Sequence, residues 1–125
     1  MTAGGYSAEG DGWRLAWDPS KAAFPVLIGG VGWAVELTQP EASGLRDGLG
    51  SLLEQLGAIA DQLMAEELIS LELERGGWWL GLDGNPEFWE LRCILAPAPG
   101  LRGLEGGWAP GAGSELARAL ICLPL

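Results

Sequence analysis

Carboxylates are the most plentiful reactive groups in this sequence. Glu66 and Glu67 follow a leucine-rich segment, Glu72 and Glu74 alternate with leucines, and Asp83, Glu87, Glu90 and Glu105 come after them. A pair of carboxylates at the right separation could bind a divalent cation or carry a proton. The alternation argues against that use: Glu72 and Glu74 fall on the phase opposite Leu71 and Leu73, where a sheet with one buried side places its solvated charges. Other catalytic groups are scarce. The chain has no histidine, so Ser-His-Asp and Cys-His arrangements and histidine-containing zinc sites cannot be built within it. Cys93 and Cys122 cannot close a four-cysteine site, lack redox spacing, and read as small buried hydrophobes and not as a disulfide framework. No glycine-rich loop ends in the Gly-Lys-Ser/Thr of a phosphate cradle. Gly29-Gly30-Val31-Gly32 precedes a strand and not a helix, which makes these turn glycines. The expectation is a protein without catalytic residues, metal or cofactor.

Tryptophan and arginine are the remaining signal. Trp13, Trp33 and Trp78 lie on the apolar phase of their segments and read as core, whereas Trp79 and Trp89 fit neither phase simply. Exposed aromatics on a sheet can stack nucleobases, form a protein interface or close a dimer. The candidate binding residues are therefore Trp79, Trp89 and Trp108, with Arg14, Arg75, Arg92 and Arg102 as charged neighbours. Binding of single-stranded nucleic acid normally couples such platforms to a positive groove. Seven basic residues against 17 acidic ones, a net charge of −10, supply that poorly. A protein partner or self-association is favoured over single-stranded nucleic acid.

These residues must be placed by a small fold. A chain of 125 residues suits one domain spanning 1–125, and 48% hydrophobic content excludes a disordered chain. The most apolar stretch, Phe24 to Val35, is interrupted by Pro25 and three glycines and falls short of the roughly 20 residues of a membrane helix. The first residues show no basic-then-apolar signal pattern, so a cytoplasmic location is expected. Trp13, Leu15 and Trp17 alternate with polar or small residues, Asp18-Pro19-Ser20 turns the chain, and further alternation runs to Leu37, giving strands over about 12–38. Thr38-Gln39-Pro40-Glu41 reads as a capping box opening a helix. Leu45, Leu49, Leu52, Leu56, Ile59 and Leu63 carry its apolar stripe to about residue 66. Gly44, Gly48, Gly50 and Gly57 each weaken that helix by about 1 kcal/mol relative to alanine, so its stability rests on packing. Strands separated by Arg75-Gly76-Gly77 and Asp83-Gly84-Asn85-Pro86 fill 68–108 as an antiparallel meander, its third strand running from Phe88 to Leu95. Within that stretch, Leu101 to Trp108 reads as a loop or edge strand, and Ser114 caps a last short helix over about 114–123. The fold class is α+β.

Gly12-Trp13-Arg14-Leu15-Ala16-Trp17-Asp18 and Gly77-Trp78-Trp79-Leu80-Gly81-Leu82-Asp83 share Gly-Trp-x-Leu-x-x-Asp, which suggests a duplicated strands-then-helix unit. Several segments together carry a resemblance: Gly12-Trp13-Arg14-Leu15, Phe24-Pro25-Val26-Leu27-Ile28-Gly29-Gly30, Trp33-Ala34-Val35-Glu36-Leu37-Thr38, Leu63-Met64-Ala65-Glu66-Glu67-Leu68-Ile69, Trp89-Glu90-Leu91-Arg92 and Arg102-Gly103-Leu104-Glu105-Gly106-Gly107-Trp108. Over most of its length the chain resembles a small cyanobacterial family of unknown function. That family is similar in fold to the Whirly and positive-cofactor-four superfamily of single-stranded-DNA-binding transcriptional regulators. The resemblance implies a Whirly-like fold with antiparallel sheets built from strands-then-helix units. It transfers no binding residue, because the Lys-Gly-Lys-Ala-Ala-Leu type of motif is reduced to Lys21-Ala22-Ala23. The first reading is a non-enzymatic interaction or regulatory protein. A single-stranded nucleic-acid-binding regulator comes second and a carboxylate-dependent metal enzyme a distant third. A homodimer through the helix or a sheet edge is compatible with the sequence.

Overall fold

Two-residue turns set the strand order. Gly12, Gly32 and Gly77 take positive φ angles of 80°, 77° and 89°, which only glycine adopts freely, and each is followed by the tryptophan that opens the next strand. The computed structural model describes residues 4–96 and 102–125. The chain forms β1 (Tyr6–Gly10), β2 (Trp13–Trp17), β3 (Val26–Gly30) and β4 (Trp33–Leu37), followed by α1 (Gln39–Ala60). It then forms β5 (Ile69–Arg75), β6 (Trp78–Gly84), β7 (Trp89–Leu95) and β8 (Leu104–Trp108), followed by α2 (Ala112–Ile121). The result is two antiparallel four-stranded sheets, each in sequence order, in an α+β fold with one long and one short C-terminal helix. Four strands and then a helix occur twice. The Gly-Trp-x-Leu-x-x-Asp echo falls on matching places, since Trp13 and Trp78 each begin the second strand of their sheet.

The period-two reading describes the sheets well. Trp13 and Leu15 of β2, Trp78, Leu80 and Leu82 of β6, and Trp89, Leu91, Cys93 and Leu95 of β7 all turn inward. Both sheets and both helices contribute to one apolar cluster. α1 lies on β5 and β6, and α2 touches strands of both sheets. The Trp108 indole N–H of the second sheet donates to Gly29 O of the first at 2.9 Å. The capping box of α1 forms as expected: Thr38 Oγ1 accepts from Glu41 N at 3.2 Å and Glu41 Oε1 accepts from Thr38 N at 2.8 Å.

Four element boundaries differ from the sequence expectation. β1 carries no strand signature in the sequence, because Tyr-Ser-Ala-Glu-Gly lacks an apolar phase; it forms by pairing with β2, and four of its five residues are exposed. α1 ends at Ala60, not near 66, with Gln62 N and Leu63 N tightening the last turn onto Ile59 O and Ala60 O. Its last turn holds no basic residue, and continuing would place Asp61, Glu66 and Glu67 at the negative end of the dipole. Glu66 and Glu67 lie instead in an exposed connection. α2 begins earlier, at Ala112 with Gly111 at φ 90° as its N-cap; Ser114 sits in the first turn and its hydroxyl donates to Gly111 O. β7 begins at Trp89, because Asn85 Oδ1 collects the N–H groups of Glu87 and Phe88 into a turn that leaves Phe88 exposed. Of the stretch read as a loop or edge strand over 101–108, Leu104–Trp108 is an edge strand; residues 97–101 lie outside the described residues.

Candidate interaction surface

The helices cover only one side of the second sheet. Leu80 packs on Gly48 of α1, and Trp89 and Leu91 pack on Gly113 of α2, so the opposite phase of β6 and β7 forms an outer face. Register arranges that face in rows. Glu74, Trp79, Ile94 and Glu105 are successive cross-strand neighbours, Glu72, Gly81, Arg92 and Gly107 form the next row, and Ser70, Asp83 and Glu90 the third. Trp79 is half-buried and its six-membered ring lies over Gly81, so close that a Cβ there would collide with it. The Arg92 guanidinium stands 5.5 Å from the Trp79 ring centroid, within cation–π range. Glycine at 81 thus lets a large aromatic lie flat on the sheet, and Arg92 fixes it. Glu72, Glu74, Glu90 and Glu105 are exposed around this pair, while Asp83 accepts the Ser70 hydroxyl at 2.7 Å. A shallow cavity of about 410 Å³ opens beside Trp79 and Ile94 at the β5–β6 turn.

Of the seven residues singled out from the sequence, only Trp79 and Arg92 come together on this face. Trp89 and Trp108 are corrected to core, at 6% and 3% exposure. Trp89 continues the inward phase of Leu91 and Cys93, and Trp108 is held by its bond to Gly29 O and by the Trp33 ring at 5.2 Å. Arg14 is exposed on the other sheet, opposite Glu9. Arg75 points toward α1 and donates to Ser51 Oγ at 3.0 Å. Arg102 is structural: it grips both Glu41 carboxylate oxygens, at 3.1 and 2.9 Å, bonds Glu36 O and stacks over Phe24 at 5.1 Å. The arginines do not form one patch. Ile94 and Glu105 were missed as members of the face. An apolar residue on the charged phase of β7, between Arg92 and Ala96, was the available signal for Ile94.

Partial burial works to raise the Glu41 pKa, but hydrogen bonds from Arg102 and Thr38 and the guanidinium charge outweigh it, so the carboxyl titrates below its ordinary value. This carboxylate is committed to holding α1 to β4 and residue 102. Cys93 is buried as expected, and desolvation with help from Glu105 pushes its thiol up to about 12 despite a bond from Gly106 N–H. Cys122 is exposed, contrary to the buried reading, because it lies just past α2 on the solvent side. Both thiols are free. Among the described residues, no group of three or more Cys, Asp or Glu side chains could hold a metal ion, and no helix is long and apolar enough to cross a membrane.

A family model described as a domain of unknown function, DUF1818, matches residues 8–123. The crystal structure of a protein with unknown function from Prochlorococcus sp. NATL2A, a cyanobacterium, described as from the DUF155 family, is similar to this chain at a TM-score of 0.85 and 38% identity. The similarity covers 94% of this chain and 96% of that one. No curated protein matches.

Proposed function

The chain belongs to the DUF1818 family, a domain of unknown function, and we propose that it is a non-enzymatic interaction or regulatory protein of the cytoplasm that meets a protein partner through the outer face of its second sheet. The Trp79–Arg92 pair carries this reading: a half-buried indole is held flat over Gly81 beside Ile94 on a face that neither helix covers. Tryptophan and arginine are enriched among the residues that anchor interfaces, and a rigid indole buries a large area with little loss of side-chain freedom. The candidate acid–base carboxylates Glu66, Glu67, Glu72, Glu74, Glu87, Glu90 and Glu105 are all exposed, and a water-filled setting gives little of the tuning that such chemistry needs. A single-stranded nucleic-acid-binding regulator with a Whirly-like fold is the second reading. The repeated four-strands-then-helix order and the stacking platform support it, while the carboxylates around Trp79 oppose it.

A photo-reactive amino acid placed at Ile94 in the cell tests both readings, with the same group at exposed Gln62 as control. The expected outcome is adducts at 94, few at 62, that protease removes and nuclease does not. Nuclease-sensitive adducts would move the assignment to the second reading, and equal labelling at 94 and 62 would remove the face from consideration.

A further inference from the structure

We infer that the segment docking on this face is cationic: an extended protein segment with lysine or arginine side chains flanking an apolar one. The inference rests on the preceding reading and adds the partner's chemistry. The face presents five carboxylates, Glu72, Glu74, Asp83, Glu90 and Glu105, against the single guanidinium of Arg92. A second copy in the same orientation would set like charge on like, and a phosphate backbone would meet the same repulsion. The whole chain, at −10, adds its longer-range field to that preference. Arg92, over the Trp79 ring, offsets only one of these five negative charges.

The rows also describe what would fit. Trp79 and Ile94 are neighbours in one cross-strand row, and Glu74 and Glu105 stand at its two ends. Adjacent strands are about 4.8 Å apart, so the two glutamates are separated by roughly 14 Å with the apolar pair between them. An extended segment crossing the strands would place an apolar side chain on Trp79 and Ile94 and cations toward both ends. Exposed ion pairs contribute little individually. The apolar pair is therefore the anchor, and the carboxylates select the sign of the partner and speed its encounter.

The test uses the whole protein and three probes: the peptide Lys-Ser-Leu-Ser-Lys, whose lysines and leucine share one face when extended, its counterpart Glu-Ser-Leu-Ser-Glu, and a ten-nucleotide oligothymidylate. Binding is followed by the NMR signal of the Trp79 indole N–H, assigned with Trp79→Phe. The lysine peptide is expected to shift that signal saturably, while the other two leave it in place. Glu74→Lys with Glu105→Lys should weaken binding about tenfold or more, whereas Glu54→Lys with Asp61→Lys, an equal change in net charge on exposed residues outside the face, should weaken it less than about twofold. Equal weakening by the two double variants would reduce the effect to net charge and overturn the inference. So would preference for the glutamate peptide or the oligonucleotide, or no Trp79 shift with the lysine peptide. If protein adducts at position 94 persist while the lysine peptide fails, the face stands and its cationic partner does not; if those adducts are missing, the functional reading itself falls.

Discussion

Arg102 and Glu41 show how a charged pair can look like a binding site in sequence and work as a clamp in the fold. The guanidinium holds Glu41, the Glu36 carbonyl and the Phe24 ring together, and Glu41 also closes the capping box of α1. Arg102→Ala is expected to destabilise the protein by about 2 kcal/mol, because it removes charge-assisted bonds and leaves a largely buried carboxylate without its partner. The pH dependence follows from the direction of the Glu41 shift. Its folded pKa lies below the ordinary 4.5, so its contribution is complete above about 4.5 and is lost as pH falls through the folded value. Denaturant midpoints of the wild type and Glu41→Gln should therefore differ most near neutral pH and converge in strong acid. A gap that widens on acidification would contradict the assignment. Tryptophan was similarly hard to read at this scale. Trp89 and Trp108 are as conspicuous in sequence as Trp79, and only strand register and a glycine seat at 81 separate the half-buried ring on the outer face from the buried ones.

At the scale of elements, α1 contains glycines of two kinds that sequence cannot distinguish. A Cβ on Gly48 would sit 2.8 Å from Leu80 Cδ1, and one on Gly44 would sit 3.3 Å from Trp78 Cδ1, so these two seat side chains of β6. Gly50 and Gly57 face open space. Gly50→Ala and Gly57→Ala should each stabilise the protein by up to about 1 kcal/mol through helix propensity and reduced freedom of the unfolded chain. Gly48→Ala should be destabilising, since Leu80 is fully buried and overpacking at such a site costs about 1–3 kcal/mol, more than propensity returns. Thermal melts of the three variants check the signs; a stabilised Gly48→Ala would mean that Leu80 can repack. The periodicity of Leu45, Leu49, Leu52 and Leu56 and the Thr38 box made this helix legible, as period two did for β2, β6 and β7. What stayed hidden was set by partners distant in the chain. β1 has no apolar phase of its own and exists because β2 offers an edge, and the row of Glu74, Trp79, Ile94 and Glu105 appears only when four strands are in register.

For the molecule as a whole, charge and core make opposing demands. Two sheets and two helices close on one apolar cluster, and that concentrates the acidic residues on what remains outside. Three ion pairs occur among the described residues, Lys21–Glu36, Arg46–Asp47 and Arg102–Glu41, against 17 acidic residues in the chain. Among the described residues most carboxylates thus lie outside any ion pair, and at a net charge of −10 the folded state carries a self-repulsion that the expanded chain relieves. Salt shortens the reach of that repulsion, from a Debye length of about 30 Å at 0.01 M to about 8 Å at 0.15 M. The melting temperature should therefore rise when sodium chloride is increased over this range, whereas affinity for the lysine peptide should fall. Measuring both on the same samples separates the two effects: attraction to a cationic partner and repulsion within the protein are screened alike but have opposite signs. A melting temperature that drops with salt would mean that the few ion pairs outweigh the unpaired carboxylates. Affinity unchanged by salt would mean that Trp79 and Ile94 bind without electrostatic help. The excess negative charge that made a nucleic-acid partner improbable in sequence is, on this argument, a standing destabilisation that a basic partner would relieve on docking.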